Sequence, residues 1–154
     1  MPSSPLFRSA LVRLSIDAAT SGQEPADWGE DLIFHTFSIA AVDPSTGESG
    51  VAVTTRVACV GNGVPWVRAG VGAVATQAST RTEYGAELLD MLEQGISPAE
   101  ALATAIAADP RADRRQLGVV ALDGRSAQHT GSGTSAWSGH HSDVNYTVQG
   151  NSLV

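Results

Sequence analysis

The chain has 154 residues, 42% of them hydrophobic and 16% charged, enough for one compact domain with a sizeable core. Sixteen acidic side chains against nine basic ones give a formal charge of −7, which repels phosphate backbones and anionic lipid surfaces, so neither nucleic acid nor membrane is expected as a partner. Every basic residue is arginine, which excludes a Schiff base, a lysine general base and any other chemistry of a neutral side-chain amine.

Residues 1–35 carry little periodicity. They hold Arg8 and Arg13, a polar stretch from Thr20 to Asp27, and then Trp28 to His35. An extension or propeptide with one short helix near residues 7–18 is expected. No apolar stretch within the first eighteen residues has the length of a secretory core or a membrane span, and a cytoplasmic location is the simplest expectation.

From Thr36 the pattern sharpens. Thr36 to Val42 and Gly50 to Val57 are strand-like runs flanking Asp43-Pro-Ser-Thr-Gly-Glu-Ser49, which has hairpin-turn chemistry. Alternation along the first run puts Thr36, Ser38, Ala40 and Val42 on one face and Phe37, Ile39 and Ala41 on the other. A register pairing residue 36 with 56 sets Arg56 across from Thr36, whereas a slip of one residue breaks that pairing. The single cysteine, Cys59, sits in an apolar Val-Ala-Cys-Val run and is expected as a small buried hydrophobe.

A third strand is predicted over Gly72 to Ala78, short and rich in Ala and Val. The period then changes. Thr80-Arg-Thr-Glu83 fits a capping box, and Tyr84, Leu88, Met91 and Leu92 form a stripe that predicts a helix over 82–94, with Gly95 at its end. Ser97-Pro-Ala-Glu100 is a second box with proline at the first helical position, and Leu102, Ala105 and Ile106 carry that helix to a stop at Asp109-Pro110. Gln116 to Leu122 and Arg125 to Thr130 flank Asp123-Gly124, a two-residue hairpin signal. Tyr146 to Asn151 supplies one more strand. Strands, two helices, then strands again indicate an α+β layered domain with helices on the sheet faces.

Thr36 opens a strand, and that position carries chemistry if its amine is free. A liberated α-amine, with an ordinary pKa of about 8, can take the proton of the hydroxyl on the same residue, so that one residue is both nucleophile and base. A fixed positive charge nearby lowers the amine's pKa, a role open to arginine although arginine is never the base.

Five ordered segments carry a resemblance: Thr36-Phe-Ser-Ile-Ala-Ala-Val-Asp-Pro44, Gly50-Val-Ala-Val-Thr-Thr-Arg56, the run from Val64 to Gln77, His129-Thr-Gly131 and Gln149-Gly-Asn151. Together they resemble the DUF1028 family of N-terminal-nucleophile-hydrolase-like proteins, over nearly all of the chain from Thr36 onward. The resemblance implies a four-layer αββα sandwich, a threonine nucleophile at a mature N-terminus and a linear amide as substrate, with no cofactor or metal. On this chain it makes Thr36 the nucleophile, Arg56 the charged neighbour, and Gln77 and Asn151 candidate amide donors to an oxyanion. The domain is thus residues 36–154, preceded by 35 residues whose removal after His35 the chemistry requires. Family members usually begin with Met directly before this Thr and continue well past the Gln149-Gly-Asn151 motif. A sandwich incomplete at its C-terminal side is therefore expected, and with it a tendency to pair with a second copy.

Two other readings compete. His129, His140, His141 and Asp143 supply metal-ligand types without ligand spacing, and Ser132, Ser135 and Ser138 lie in a Gly/Ser-rich loop without a nucleophile elbow. The other class of function is a non-catalytic scaffold or assembly module, of the fimbrial or pilus kind that such sequences are sometimes labelled with, in which Thr36 stays locked in its peptide bond. Trp66 and Arg68 are candidates either for a cleft or, in the case of an aromatic next to Pro65, for a packed interface.

Overall fold

A computed structural model describes residues 35–135 and 137–153. The expected extension, His35 apart, and its helix near 7–18 lie outside the described residues. The described residues form one compact unit.

The first hairpin forms as the turn chemistry predicts: β1 (Thr36–Asp43) pairs antiparallel with β2 (Glu48–Thr55). Its turn is held by Asp43, whose carboxylate accepts from the Ser45 amide at 2.8 Å and the Ser45 hydroxyl at 2.6 Å. Next come β3 (Pro65–Arg68) and β4 (Gly72–Ala78), then helices α1 (Glu83–Glu93) and α2 (Pro98–Ala107), and finally β5 (Arg115–Ala121), β6 (Ser126–Thr130), β7 (Gly139–Asp143) and β8 (Tyr146–Asn151). The Asp123-Gly124 turn between β5 and β6 places Gly124 at φ +88°, a conformation glycine adopts without steric cost.

The two helices start differently. The box at α2 is complete, with the Ser97 hydroxyl accepting from the Glu100 amide and the Glu100 carboxylate accepting from the Ser97 amide. At α1 the N-cap is Thr82 in a helical conformation without a side-chain cap. Arg81 takes up that end instead, stacking 4.6 Å from the Tyr84 ring centre and pairing with Glu87 at 2.7 Å.

Strand order is β2-β1-β8-β7 in one sheet and β3-β4-β5-β6 in the other, all pairs antiparallel. The sheets stack face to face, β1 over β4 and β5, and β8 over β5. Both helices pack on the outer side of the β3-β4-β5-β6 sheet, where Val74, Leu117 and Val119 meet Tyr84, Leu88, Leu89, Leu92, Ala101 and Leu102 in the larger core.

The architecture is therefore α+β in three layers, and the four-layer αββα sandwich implied by the resemblance is not what the described chain forms. The physical reason is topological. Both helices fall in the one stretch that joins β4 to β5, neighbouring strands of one sheet, so both cover the same outer face. Among the described residues no helix lies over the other sheet, whose outer face carries Phe37 at 41% exposure, with Ile39 and Val148 partly buried.

Two strands that composition hid are β3 and β7. Pro65 starts β3 at a sheet edge, where a missing N–H is tolerated, and β7 is an edge strand of polar residues. Cys59 is exposed rather than buried: β2 ends at Thr55, and Cys59 stands beyond it in a left-handed conformation at φ 59°, just before a 3₁₀ turn over Val60–Asn62.

Candidate functional site

Between the sheets the filling changes from one end to the other. Ala40, Val42, Ala73, Ala75 and Val120 make an apolar half, while Thr36, Ser38, Gln77, Gln116, Gln149 and Asn151 make a polar half, all six buried. Strand alternation explains the division: Ala73, Ala75 and Gln77 on β4 and Gln116 and Val120 on β5 all project into the gap. They meet the inward residues of β1 and β8.

Buried amides are as a rule bonded, and these are except at Gln149 Oε1, which has no protein partner among the described residues although Gln149 Nε2 donates to the Ala75 carbonyl at 3.0 Å. The Gln77 amide donates to Gln116 Oε1 at 2.8 Å and to the Gln149 carbonyl at 3.5 Å, and its own Oε1 accepts from the Ser38 hydroxyl at 2.6 Å. Gln116 Oε1 also accepts from Asn151 Nδ2 at 3.1 Å. On its other side the Gln116 amide donates to Thr130 Oγ1 and to the carbonyls of Gly139 and Gly150 at 2.9, 3.1 and 2.9 Å. Gln116, which the sequence reading passed over, is thus the hub that ties both sheets together beneath Thr36.

Thr36 is 8% exposed and heads β1, central in its sheet, with Thr55 and Asn151 as its strand partners on either side. The register is therefore 36 with 55, one residue off the pairing that would set Arg56 opposite Thr36. Thr36 Oγ1 lies 3.0 Å from Thr55 Oγ1 instead. Arg56 comes directly after that partner, beyond the end of β2, in an exposed bend. The structure thus gathers Thr36, Gln77 and Asn151 at one end of the sandwich. Both N–H groups of the Gln77 amide are engaged within the network, whereas Asn151 has one protein acceptor among the described residues, leaving its second N–H for another partner.

Two clefts meet at Thr36, and Thr36, Val57 and Ala78 line both. One, of about 350 Å³, is walled by Ala58, Cys59, Val60 and Val64, with Gln77 at its base. The other, of about 460 Å³, is walled by Ser79, Asp113, Arg114, Thr134, Ser135 and Asn151. The backbone around them is bent against preference. Of the four described non-glycine residues with positive φ, three line these clefts: Cys59 at 59°, Ala78 at 67° and Ser152 at 55°. Left-handed backbone costs such residues about 1–2 kcal/mol each, and strain of this kind gathers where function demands a shape.

His35, the residue before Thr36, donates from Nδ1 to the carbonyl of Ser152, a residue that lines the second cleft. His129 Nε2 bonds the Ala112 carbonyl at 2.8 Å and His140 Nδ1 bonds Thr130 Oγ1 at 2.8 Å, while His141 lies against Tyr146. Burial, with His129 nearby, lowers the pKa of His140. Among the described residues no cluster of three His, Cys, Asp or Glu side chains is arranged to hold a metal ion. Trp66 takes the interface role, its ring lying over Gly85 of α1 with Nε1 donating to the Gly63 carbonyl at 3.0 Å, and Arg68 pairs with Asp90 and Glu93.

Among known proteins, a model described as a family of unknown function, DUF1028, matches residues 36–154. A crystal structure of a protein from Silicibacter pomeroyi, described with the same family, superposes with a TM-score of 0.74 at 35% identity, over 77% of this chain and 55% of that one. The chain therefore spans little more than half the length of that structure. No curated protein matches it.

Proposed function

We propose that this chain, which belongs to the DUF1028 family, is a latent N-terminal-threonine amide hydrolase whose nucleophile is Thr36 once residues 1–35 are removed. The observation that supports this reading is the place of Thr36: a hydroxyl at the head of a central strand, forming the wall common to two clefts and flanked by buried amides. A residue serving only to fill a strand needs neither cleft.

The chemistry follows from the residue itself. With the His35–Thr36 bond cut, the new α-amine takes the proton of Oγ1, and Oγ1 attacks the carbonyl carbon of a linear amide. The C–N bond then breaks, the leaving amine takes the proton back from the α-ammonium, and an ester on Oγ1 remains. Water hydrolyses that ester, returning the acid and the threonine. The second N–H of Asn151 is suited to stabilise the oxyanion, and Gln77 acts through the network that holds Asn151. Arg56, one residue past Thr55, is the cation assigned to lowering the pKa of the amine. No cofactor or metal enters the scheme. The partner is a small amide in the cytoplasm, with a second copy of the chain as the expected companion. No helix among the described residues is long and apolar enough to cross a membrane.

A second reading has its own support. The Thr36 hydroxyl is already bonded to Thr55, which suits a strand-pairing role in a non-catalytic scaffold, including an assembly module. Intact mass and N-terminal sequencing of the purified protein separate the two. A chain starting at Thr36, lost in Thr36→Ala where the cut is autocatalytic, is the expected result; a stable chain that keeps its first 35 residues in the functional molecule supports the scaffold.

A further inference from the structure

The two clefts at Thr36 differ in chemistry, and the difference bears on what an amide must look like to fit. One is lined by Ala58, Cys59, Val60 and Val64, with Asn62, Gln77, Thr80 and Thr82 as its polar members. The other is lined by polar residues almost throughout: Ser79, Asp113, Arg114, Thr134, Ser135 and Asn151. A carbonyl held at Oγ1 has its acyl chain on one side and its amine on the other, so one group enters each cleft.

Which group enters which follows from the position of the base. His35, the residue joined to Thr36, bonds the carbonyl of Ser152, and Ser152 lines the polar cleft. Cutting that peptide bond leaves the α-amine on the same side and clears the space His35 held. The leaving amine must lie next to the group that returns its proton, hence in the polar cleft. The acyl chain is then left with the apolar one.

We infer that the substrate is an amide between a short aliphatic acid and a small polar amine bearing hydroxyl or carboxylate groups, with the acyl chain against Ala58, Val60 and Val64 and the amine beside Ser79, Arg114 and Ser135. This rests on the hydrolase reading above and adds the direction of binding to it. Cys59, the only thiol of the chain, opens onto the acyl cleft and offers a specific handle for blocking it.

The test uses the full chain carrying a protease site immediately before Thr36, cut after purification and verified by mass to start at Thr36. N-hexanoylserine is compared with N-acetylserine and with the reversed amide, glyceric acid hexylamide. Hydrolysis of hexanoylserine should exceed that of the reversed amide by at least about tenfold in kcat/KM, the scale on which pockets separate such groups. Alkylating Cys59 should reduce hexanoylserine turnover while sparing acetylserine. Equal or better turnover of the reversed amide, or alkylation that slows both acyl lengths alike, overturns the inference and leaves the hydrolase standing. If no amide is cleaved, the hydrolase reading fails, and NMR of the same sample decides the binding direction by itself. Hexanoylserine must shift backbone resonances at both 58–60 and 113–114, its acetyl analogue only the latter, and any other pattern overturns the assignment.

Discussion

Thr36 Oγ1 and Thr55 Oγ1 lie 3.0 Å apart across the first hairpin, so the orientation of one hydroxyl fixes that of the other. Thr55 Oγ1 also accepts the amide N–H of Val57 at 3.2 Å, which ties it to the backbone just past β2. Thr55→Val keeps the shape and removes both contacts. The variant should lose about 1 kcal/mol of stability, the net worth of an ordinary protein hydrogen bond, measured by urea unfolding. In the processed protein kcat should fall about tenfold with KM unchanged, because an unanchored hydroxyl spends less time in the attacking geometry. Unchanged kcat would show that Thr55 has no hold on the nucleophile.

Gln116 is the member of the network that the others cannot do without. Its amide makes five hydrogen bonds, to Gln77, Asn151, Thr130, Gly139 and Gly150, on two strands of the opposite sheet and two of its own sheet besides β5. Gln116→Leu fills the space but strands donors and acceptors in a dry gap, each at a cost of about 1–3 kcal/mol. A loss of at least about 3 kcal/mol is expected by denaturant unfolding, with any surviving native protein showing altered Asn151 side-chain amide resonances. A loss below about 1 kcal/mol would mean that water replaces Gln116 readily.

The contrast between these two residues marks what the sequence disclosed. Thr36 stood out through the ordered segments that resemble the family, a hydroxyl at the start of a strand being common by itself, whereas the hairpin, β4, both helices and the Asp123-Gly124 turn each carried a local signal of spacing or capping. Gln116 carried none. A glutamine at the head of an apolar run has no periodicity to distinguish a buried hub from a solvated strand end, and its partners are 14 to 39 residues away in the chain. The register of Arg56 was likewise beyond reach, since one residue of slip is decided by the turn, whose four residues 44–47 settled the pairing. The number of layers failed for a different reason. The resemblance supplied four, but the described residues contain helices only between β4 and β5.

Asp109 predicts the acid limb of stability. Its carboxylate accepts from Arg115 Nε at 2.8 Å, from the Tyr84 hydroxyl at 2.8 Å and from the Arg111 amide at 2.9 Å, with its side chain 5% exposed. The hydrogen bond from Arg115 holds its pKa well below the ordinary 3.8, against the opposing effect of burial. A pKa lower in the folded chain than in the unfolded one means that the unfolded state binds the proton first. The contribution is therefore full above about pH 4 and declines as pH falls through that value toward the folded pKa. Asp109→Asn removes the charge and leaves the Arg115 guanidinium buried, at a cost of about 3–5 kcal/mol at pH 7. The variant's stability should also fall less steeply between pH 5 and 3, as followed by urea unfolding across that range. An equally steep fall would place the acid sensitivity in other carboxylates.

Gly85 tests whether α1 is seated by shape or by propensity. In the middle of a helix, glycine to alanine ordinarily gains about 1 kcal/mol, because alanine loses less backbone freedom on folding. Here the added Cβ would fall 2.0 Å from Trp66 Cδ2, and the indole cannot swing away freely because Nε1 is bonded to the Gly63 carbonyl at 3.0 Å. Either the ring or the helix must move, and overpacking of this kind costs about 1–3 kcal/mol. Gly85→Ala should therefore lower the melting temperature despite its better helix propensity. Gly61→Ala, at a glycine with open space around it, serves as the control and should change stability by no more than about 0.5 kcal/mol. Combining Gly85→Ala with Trp66→Leu should cost less than the sum of the two changes, because the smaller side chain makes room for the methyl group. Additive losses would mean that the ring and the glycine do not constrain one another, and that α1 is held by its Leu88 and Leu92 contacts alone.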